Sequence, residues 1–234
     1  MKKITLFLTA MLAMSVTINS KTEETTMLPG NAEIVKCPYC GTEKELMTLL
    51  SGNTFGAEYW SDNKRIAPML PSVSPVQKCP NCGKYYFESK NRHGESNNTS
   101  FERGELSFPE WKDAYTQFQT EGVKGDDLVN VRFWVVQSYN DYFYRKSNSH
   151  KPSKEDFQLF SKLAIDFINS FDWKPVQHPL LKAELYREAN FMKECKEVLE
   201  SIPYNELQDF EKSIFNDIKQ RMEKGDNKVF KLSV

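Results

Sequence analysis

The sequence predicts an α plus small β chain, with a small N-terminal metal-binding domain carrying a long inserted loop, then an all-α helical domain. Three observations carry that expectation. Two copies of C-P-x-C-G occupy residues 37–41 and 79–83. From Trp111 onward apolar residues recur every three to four positions, the period of a half-buried helix. Ahead of both lies a charged-then-apolar start with no counterpart later in the chain.

That start, residues 1–20, reads as a secretory signal peptide. Lys2 and Lys3 precede the apolar run Ile4 to Met14, and Ser15 and Ser20 offer small residues for cleavage. Even taken to Ile18 the run is shorter than the roughly 20 residues that span a bilayer. The chain is therefore expected to be exported, periplasmic or secreted, with no integral membrane span once the signal is removed. Whole-chain charge is nearly balanced, 31 Lys+Arg against 32 Asp+Glu. Losing Lys2 and Lys3 leaves 29 against 32, a net of −3. A slightly acidic chain gives no field for gripping a nucleic-acid backbone, so a nucleic-acid partner is not expected. Aromatic residues at 13% argue against a mostly disordered chain.

Residues 21–32 form a polar N-terminal tail, and residues 33–88 the metal-binding domain. Two Cys three apart on a tight turn can aim both sulfurs at one ion. Pro presets the turn, and Gly supplies the backbone conformation needed to leave it. Cys37, Cys40, Cys79 and Cys82 together complete a tetrahedral Cys₄ site, with Zn²⁺ the expected ion and iron the alternative. The 38 residues between Cys40 and Cys79 exceed the usual interval of about 15–20, so an inserted hairpin or loop is required; residues 52–75, rich in Gly, Asn and Pro, fit it. The paired knuckles resemble those of zinc ribbons and rubredoxins over residues 33–88.

Other readings of these cysteines stand beside zinc. Cys-Pro-Tyr-Cys by itself resembles the glutaredoxin active site, with residues 32–36 as a strand and 44–50 as the helix whose N-terminus lowers a thiol pKa. Four Cys in an oxidising compartment can also pair as disulfides, in any of three ways. The same four thiolates can hold iron in a rubredoxin-like electron carrier. The alternative function is accordingly a thiol-disulfide or iron redox protein. Cys195 lies within a helical pattern and reads as a small buried residue. His93, His150 and His178 have no partner at metal-ligand or catalytic spacing. No catalytic constellation is visible, so the protein is expected not to be an enzyme.

Residues 89–106 read as a polar connector, within which Asn97 and Asn98 match the N-glycosylation pattern. Helices follow over 107–234. Pro109 suits a first helical turn before Trp111, Ala114, Tyr115 and Phe118. Asp127 is placed to cap a second helix with Leu128, Val131, Val135 and Tyr139 on one side. Phe133, Trp134 and Phe143 make it apolar nearly all round, so it should be central. Ser153 caps a third, running from Phe157 to Phe171, before Pro175 and Pro179 break the chain. Asn205 is expected to cap the last helix, and Gly225 to close it before a Lys-rich tail. Residues 180–202 read as two short amphipathic helices hinged at Ala189 and Asn190. Ala183, Tyr186, Asn190 and Cys195 in that order resemble one tetratricopeptide-type hairpin, which implies helix pairs offering a concave surface to a protein or peptide partner. The two-knuckle ribbon followed by such helices resembles a bacterial protein family of that architecture, a likeness that implies no activity.

Overall fold

The computed structural model describes residues 27–72, 74–97, 105–145, 150–170 and 179–233. The expected signal peptide, residues 21–26 of the N-terminal tail, Asn98, Phe171, Pro175 and His178 lie outside them. Among the described residues the fold is mixed, with small antiparallel sheets in the N-terminal part and six α-helices in the C-terminal part.

Nine short strands among the described residues build the first part: β1 (Leu28–Pro29), β2 (Ala32–Lys36), β3 (Glu43–Leu46), β4 (Leu49–Ser51), β5 (Glu58–Tyr59), β6 (Arg65–Ile66), β7 (Val76–Lys78), β8 (Tyr85–Phe87) and β9 (Arg92–Ser96). β2 is the centre of a three-stranded sheet, with β3 on one side and β9 on the other. The pairs β1–β4, β5–β6 and β7–β8 complete the set. The long insertion contains a hairpin, β5–β6, whose turn places Asn63 at φ 64°. Residues 92–96, read from sequence as connector, are a strand instead. Their side chains are mostly exposed and carry no alternation, and what holds them is the backbone ladder to β2, from Ala32↔Ser96 to Val35↔Arg92.

The helices are α1 (Phe108–Thr120), α2 (Asp126–Asn140), α3 (Lys154–Ile168), α4 (Pro179–Glu188), α5 (Met192–Ser201) and α6 (Asp209–Glu223). α1 starts with a capping box, the Glu110 carboxylate accepting the Ser107 N–H at 3.0 Å. α2 begins at Gly125 rather than on an Asp127 cap. Asp127 lies in its first turn, where its carboxylate suits the helix dipole and takes the Lys90 ammonium. Asp156 N–H donates to Ser153 Oγ at 3.0 Å, as expected of a cap. Asn205 does not cap α6; it sits in a 3₁₀ turn, and Gln208 begins the helix with Glu211 accepting its N–H at 2.8 Å.

α2 is central, packed between α1 and α3, and continues into a π-helical turn, Asp141–Arg145. The main core gathers Phe108, Trp111, Phe118, Val135, Tyr139 and Phe160 with Val76 and Tyr85 from the β7–β8 hairpin, so strands and helices share one interior. α4 and α5 form the expected hairpin. Asn190 turns the chain at φ 68°, and buried Ala183 and Cys195 belong to one core with Leu199, Ile218 and Phe230. The Lys-rich tail is not loose: Phe230 is buried and its N–H and C=O pair with Ser61, while Leu232 N–H reaches Tyr59 O. No described helix is long and apolar enough to cross a membrane.

Candidate metal centre

Each cysteine pair sits in the turn of a hairpin, and the two turns are built alike. In the first, between β2 and β3, Cys37 N–H donates to Thr42 O and Gly41 N–H to Cys37 O, both at 2.9 Å. In the second, between β7 and β8, Cys79 N–H donates to Lys84 O at 2.8 Å and Gly83 N–H to Cys79 O at 3.0 Å. Gly41 at φ 76° and Gly83 at φ 73° let the chain leave each turn, a conformation that costs a residue with a Cβ. Lys36↔Glu43 and Lys78↔Tyr85 close the hairpins at matching positions.

The two turns face each other. Cys37 Sγ lies 3.6 Å from Cys82 Sγ, and Cys40 Sγ lies 3.5 Å from Cys79 Sγ. All four sulfurs are within 4.8 Å of one another. Four thiolates at about 2.3 Å from a central zinc lie about 3.8 Å apart, so this set fits a tetrahedral ion. A disulfide needs sulfurs at about 2.05 Å, and all five cysteines are free thiols. Cys37 and Cys79 are buried in a small cluster with Val35, Leu46 and Tyr86; Cys40 and Cys82 are exposed. One side of the site is closed and the other open. Among the described residues no other group of three or more His, Cys, Asp or Glu could hold a metal.

The thiols are not equivalent. Hydrogen bonding from the Thr42 hydroxyl and backbone pulls Cys40 down to about 5. Burial pushes Cys37 up. For Cys82 the Lys84 backbone pulls down, but desolvation and the neighbouring thiols push it up to about 12. Four thiols crowded together cannot all ionise unless a cation is among them, which is the electrostatic reason such a cluster suits a metal. The helix that a glutaredoxin-like reading needs at residues 44–50 is instead β3 and the start of β4, so no helix N-terminus lies against Cys40.

Several residues around the centre escaped the sequence reading. Tyr39, inside the first knuckle, donates its hydroxyl to Glu121 at 2.7 Å and accepts from Gln117 Nε2 at 3.0 Å, which ties that knuckle to α1. Burial and the neighbouring Glu121 carboxylate push its phenol up to about 12. Tyr86 packs behind the thiols, its hydroxyl buried without a partner. The x position of C-P-x-C-G carries no local signal that would have singled out Tyr39. Cys195 is buried, as expected, and burial pushes its thiol up to about 12. His93 lies exposed on β9, beside a small cleft with Cys37, and His150 stacks on Tyr142 with ring centroids 4.7 Å apart.

The fold and the four thiols define a mixed α plus small β protein whose Cys₄ cluster could hold one metal ion. No protein-family model, curated protein or solved structure matches the chain.

Proposed function

We propose that this is an exported, non-enzymatic protein in which Cys37, Cys40, Cys79 and Cys82 hold one structural Zn²⁺ of a zinc-ribbon-like unit, and in which tetratricopeptide-like helices serve as a scaffold for a protein or peptide partner. The observation that carries the reading is the convergence of two like-built knuckles on one point, all four sulfurs within 4.8 Å. The ion's role is to join the two knuckles: the hairpins bury only a five-residue cluster between them, and although Val76 and Tyr85 anchor the second in the helical core, little besides the ion holds the first knuckle against the second. The helical unit is read as divergent tetratricopeptide-like on the α4–α5 hairpin, with Asn190 at its turn and small Ala183 and Cys195 at its interface. Such pairs stack to offer extended surfaces. Export rests on residues 1–20, and the net of −3 that follows fits the absence of a nucleic-acid role.

Elemental analysis with thiol counting, on protein taken from its own compartment, tests the reading. One zinc per chain, no thiol alkylated in the native protein and five alkylated after unfolding in a chelator are expected. Four oxidised cysteines without metal overturn it. Stoichiometric iron with visible colour overturns it in favour of an electron carrier.

A further inference from the structure

The three aromatic residues of β8 face two different ways. Tyr85 belongs to the main core, and Phe87 stacks on Phe118 of α1 with ring centroids 4.6 Å apart. Tyr86, between them, turns to the opposite side, as the alternation of a strand requires, and closes on Val35, Cys37, Leu46 and Cys79. Val35 and Cys37 stand two apart where β2 runs into the first knuckle, so they present one face to it. That cluster is the back wall of the thiol centre.

A ring at position 86 is explained by the space it fills between the two hairpins. Its hydroxyl is not. Tyr86 is 2% exposed, and its hydroxyl oxygen is buried with no hydrogen-bond partner among the described residues. A buried polar group without a partner is destabilising, and a phenylalanine would fill the same space without one. At neutral pH a phenol keeps its proton, so the group is a donor in want of an acceptor. Val35 and Leu46 are aliphatic, which leaves the sulfurs of Cys37 and Cys79 as the polar side-chain atoms of the cluster.

As free thiols the sulfurs are weak acceptors, and they engage one another across the knuckles, Cys37 with Cys82 at 3.6 Å and Cys40 with Cys79 at 3.5 Å. A metal takes thiolates instead, which have lost the shared S–H protons, carry charge and accept strong hydrogen bonds. Cys37 and Cys79 are 1% exposed, so water cannot serve them. Cys82 N–H approaches Cys79 Sγ at 3.5 Å, one donor for an atom that accepts several. The Tyr86 oxygen lies within the field of these sulfurs: burial first, then Cys37, Cys79, Cys40 and Cys82 in that order, push its phenol up to about 12. A donor that free thiols leave unused and metal-bound thiolates employ favours the metal-bound state.

We infer that Tyr86 donates its hydroxyl to a buried thiolate, that of Cys37 or Cys79, when the four cysteines hold a metal, and so sets the affinity of the centre. The inference rests on the metal reading of those cysteines. Tyr86→Phe in the full chain tests it, with Zn²⁺ affinity read by competition with a chromophoric chelator and Co²⁺ as the spectroscopic probe. Expected is Zn²⁺ binding about tenfold weaker, the lower end of what a lost outer hydrogen bond to a metal ligand costs. The sulfur-to-cobalt charge-transfer band should move to longer wavelength, because the hydrogen bond no longer lowers the sulfur lone pair. Stripped of metal, the variant should be no less stable to urea than wild type, since it has lost only a lone hydroxyl. A packing role alone would weaken the stripped protein and leave the band in place. Unchanged affinity, an unmoved band, or a stripped variant weaker than stripped wild type overturns the inference. A wild-type chain that takes up neither Zn²⁺ nor Co²⁺ overturns the metal reading, and this inference with it. A wild type that binds one ion, with Tyr86→Phe indistinguishable from it, leaves that reading standing and sinks this one alone.

Discussion

The side chain of Gln117 completes the backbone of Tyr85. Its Oε1 accepts the Tyr85 N–H at 3.0 Å, and its Nε2 donates to the Tyr85 carbonyl at 2.9 Å, so a residue of α1 acts as one more pairing position on β8. The same Nε2 reaches the Tyr39 hydroxyl at 3.0 Å. One glutamine therefore ties both hairpins of the thiol centre to the helical core. Replacing it with Ala leaves the Tyr85 N–H and carbonyl facing α1 without partners, at a cost of about 1–3 kcal/mol. Urea denaturation of Gln117→Ala should show that loss, with metal content per chain unchanged.

Cysteine substitutions should divide sharply by position. If the cluster holds a metal as proposed, Cys37→Ser or Cys79→Ser removes one of its two buried thiols, and metal loss with loosening of the β2–β3 and β7–β8 hairpins is expected by NMR. Cys195→Ala should keep the metal and cost about 1 kcal/mol for the vacated volume. The native Cys195 thiol, buried and pushed up to about 12, should resist alkylation until the protein unfolds. Rapid labelling of Cys195 in the native state contradicts that placement.

Asn190 holds a left-handed conformation at φ 68° between α4 and α5. Asn tolerates it and Gly tolerates it better, whereas a β-branched residue is strained there. Asn190→Gly should be neutral to slightly stabilising, and Asn190→Val should cost about 1–2 kcal/mol in thermal or urea unfolding.

These positions also show what could be read in advance. The knuckles were legible because Cys, Pro and Gly act within five residues, and the helices because burial on one side imposes a period. β9 was not, since Arg92–Ser96 forms a strand only through the ladder to β2. Asn205 is a good cap by type, yet Gln208 begins α6 because its N–H and Glu211 close a capping box one turn later. Asp62 and Arg145 stand 83 residues apart, and only the folded chain shows that the turn of an inserted loop meets the end of α2. Local chemistry reads forward; long-range pairing does not.

Glu188 gives a pH dependence of definite sign. It is fully buried among Glu184, Asp62 and Arg187, with Asn140 Nδ2 donating to it at 2.9 Å, and burial raises its carboxyl well above the usual range. The unfolded chain releases this proton near pH 4.5, while the folded chain keeps it to higher pH. Between those points the unfolded state binds fewer protons, so this group's contribution to stability falls as pH rises, by at most about 1.4 kcal/mol per pH unit. Glu188→Gln keeps the shape and the Asn140 contact without the charge. It should match wild type near pH 4.5 and exceed it increasingly towards pH 8 in urea denaturation at each pH. A constant offset between the two proteins rules the titration out.

The C-terminal segment should behave as part of the core. The Arg187 guanidinium is held by Glu184 and donates to the Asp226 and Lys228 carbonyls, so α4 grips the chain just after α6 ends. Phe230 then enters the second core, with Arg221 4.3 Å and Arg187 5.5 Å from its ring centre, and its backbone pairs with Ser61 beside the β5–β6 hairpin. Removing that ring should cost about 3–5 kcal/mol, the range for a buried Phe. Lys231, one residue on, pairs with Glu58 at the surface, and Lys231→Ala should cost less than about 1 kcal/mol. The contrast between neighbours separates burial from charge. If the segment also anchors the hairpin, Phe230→Ala should speed proteolysis after Arg65 in the native state, while Lys231→Ala leaves it slow. Equal cleavage in both variants would mean that Asp62 and Arg145 hold the hairpin without help from the tail.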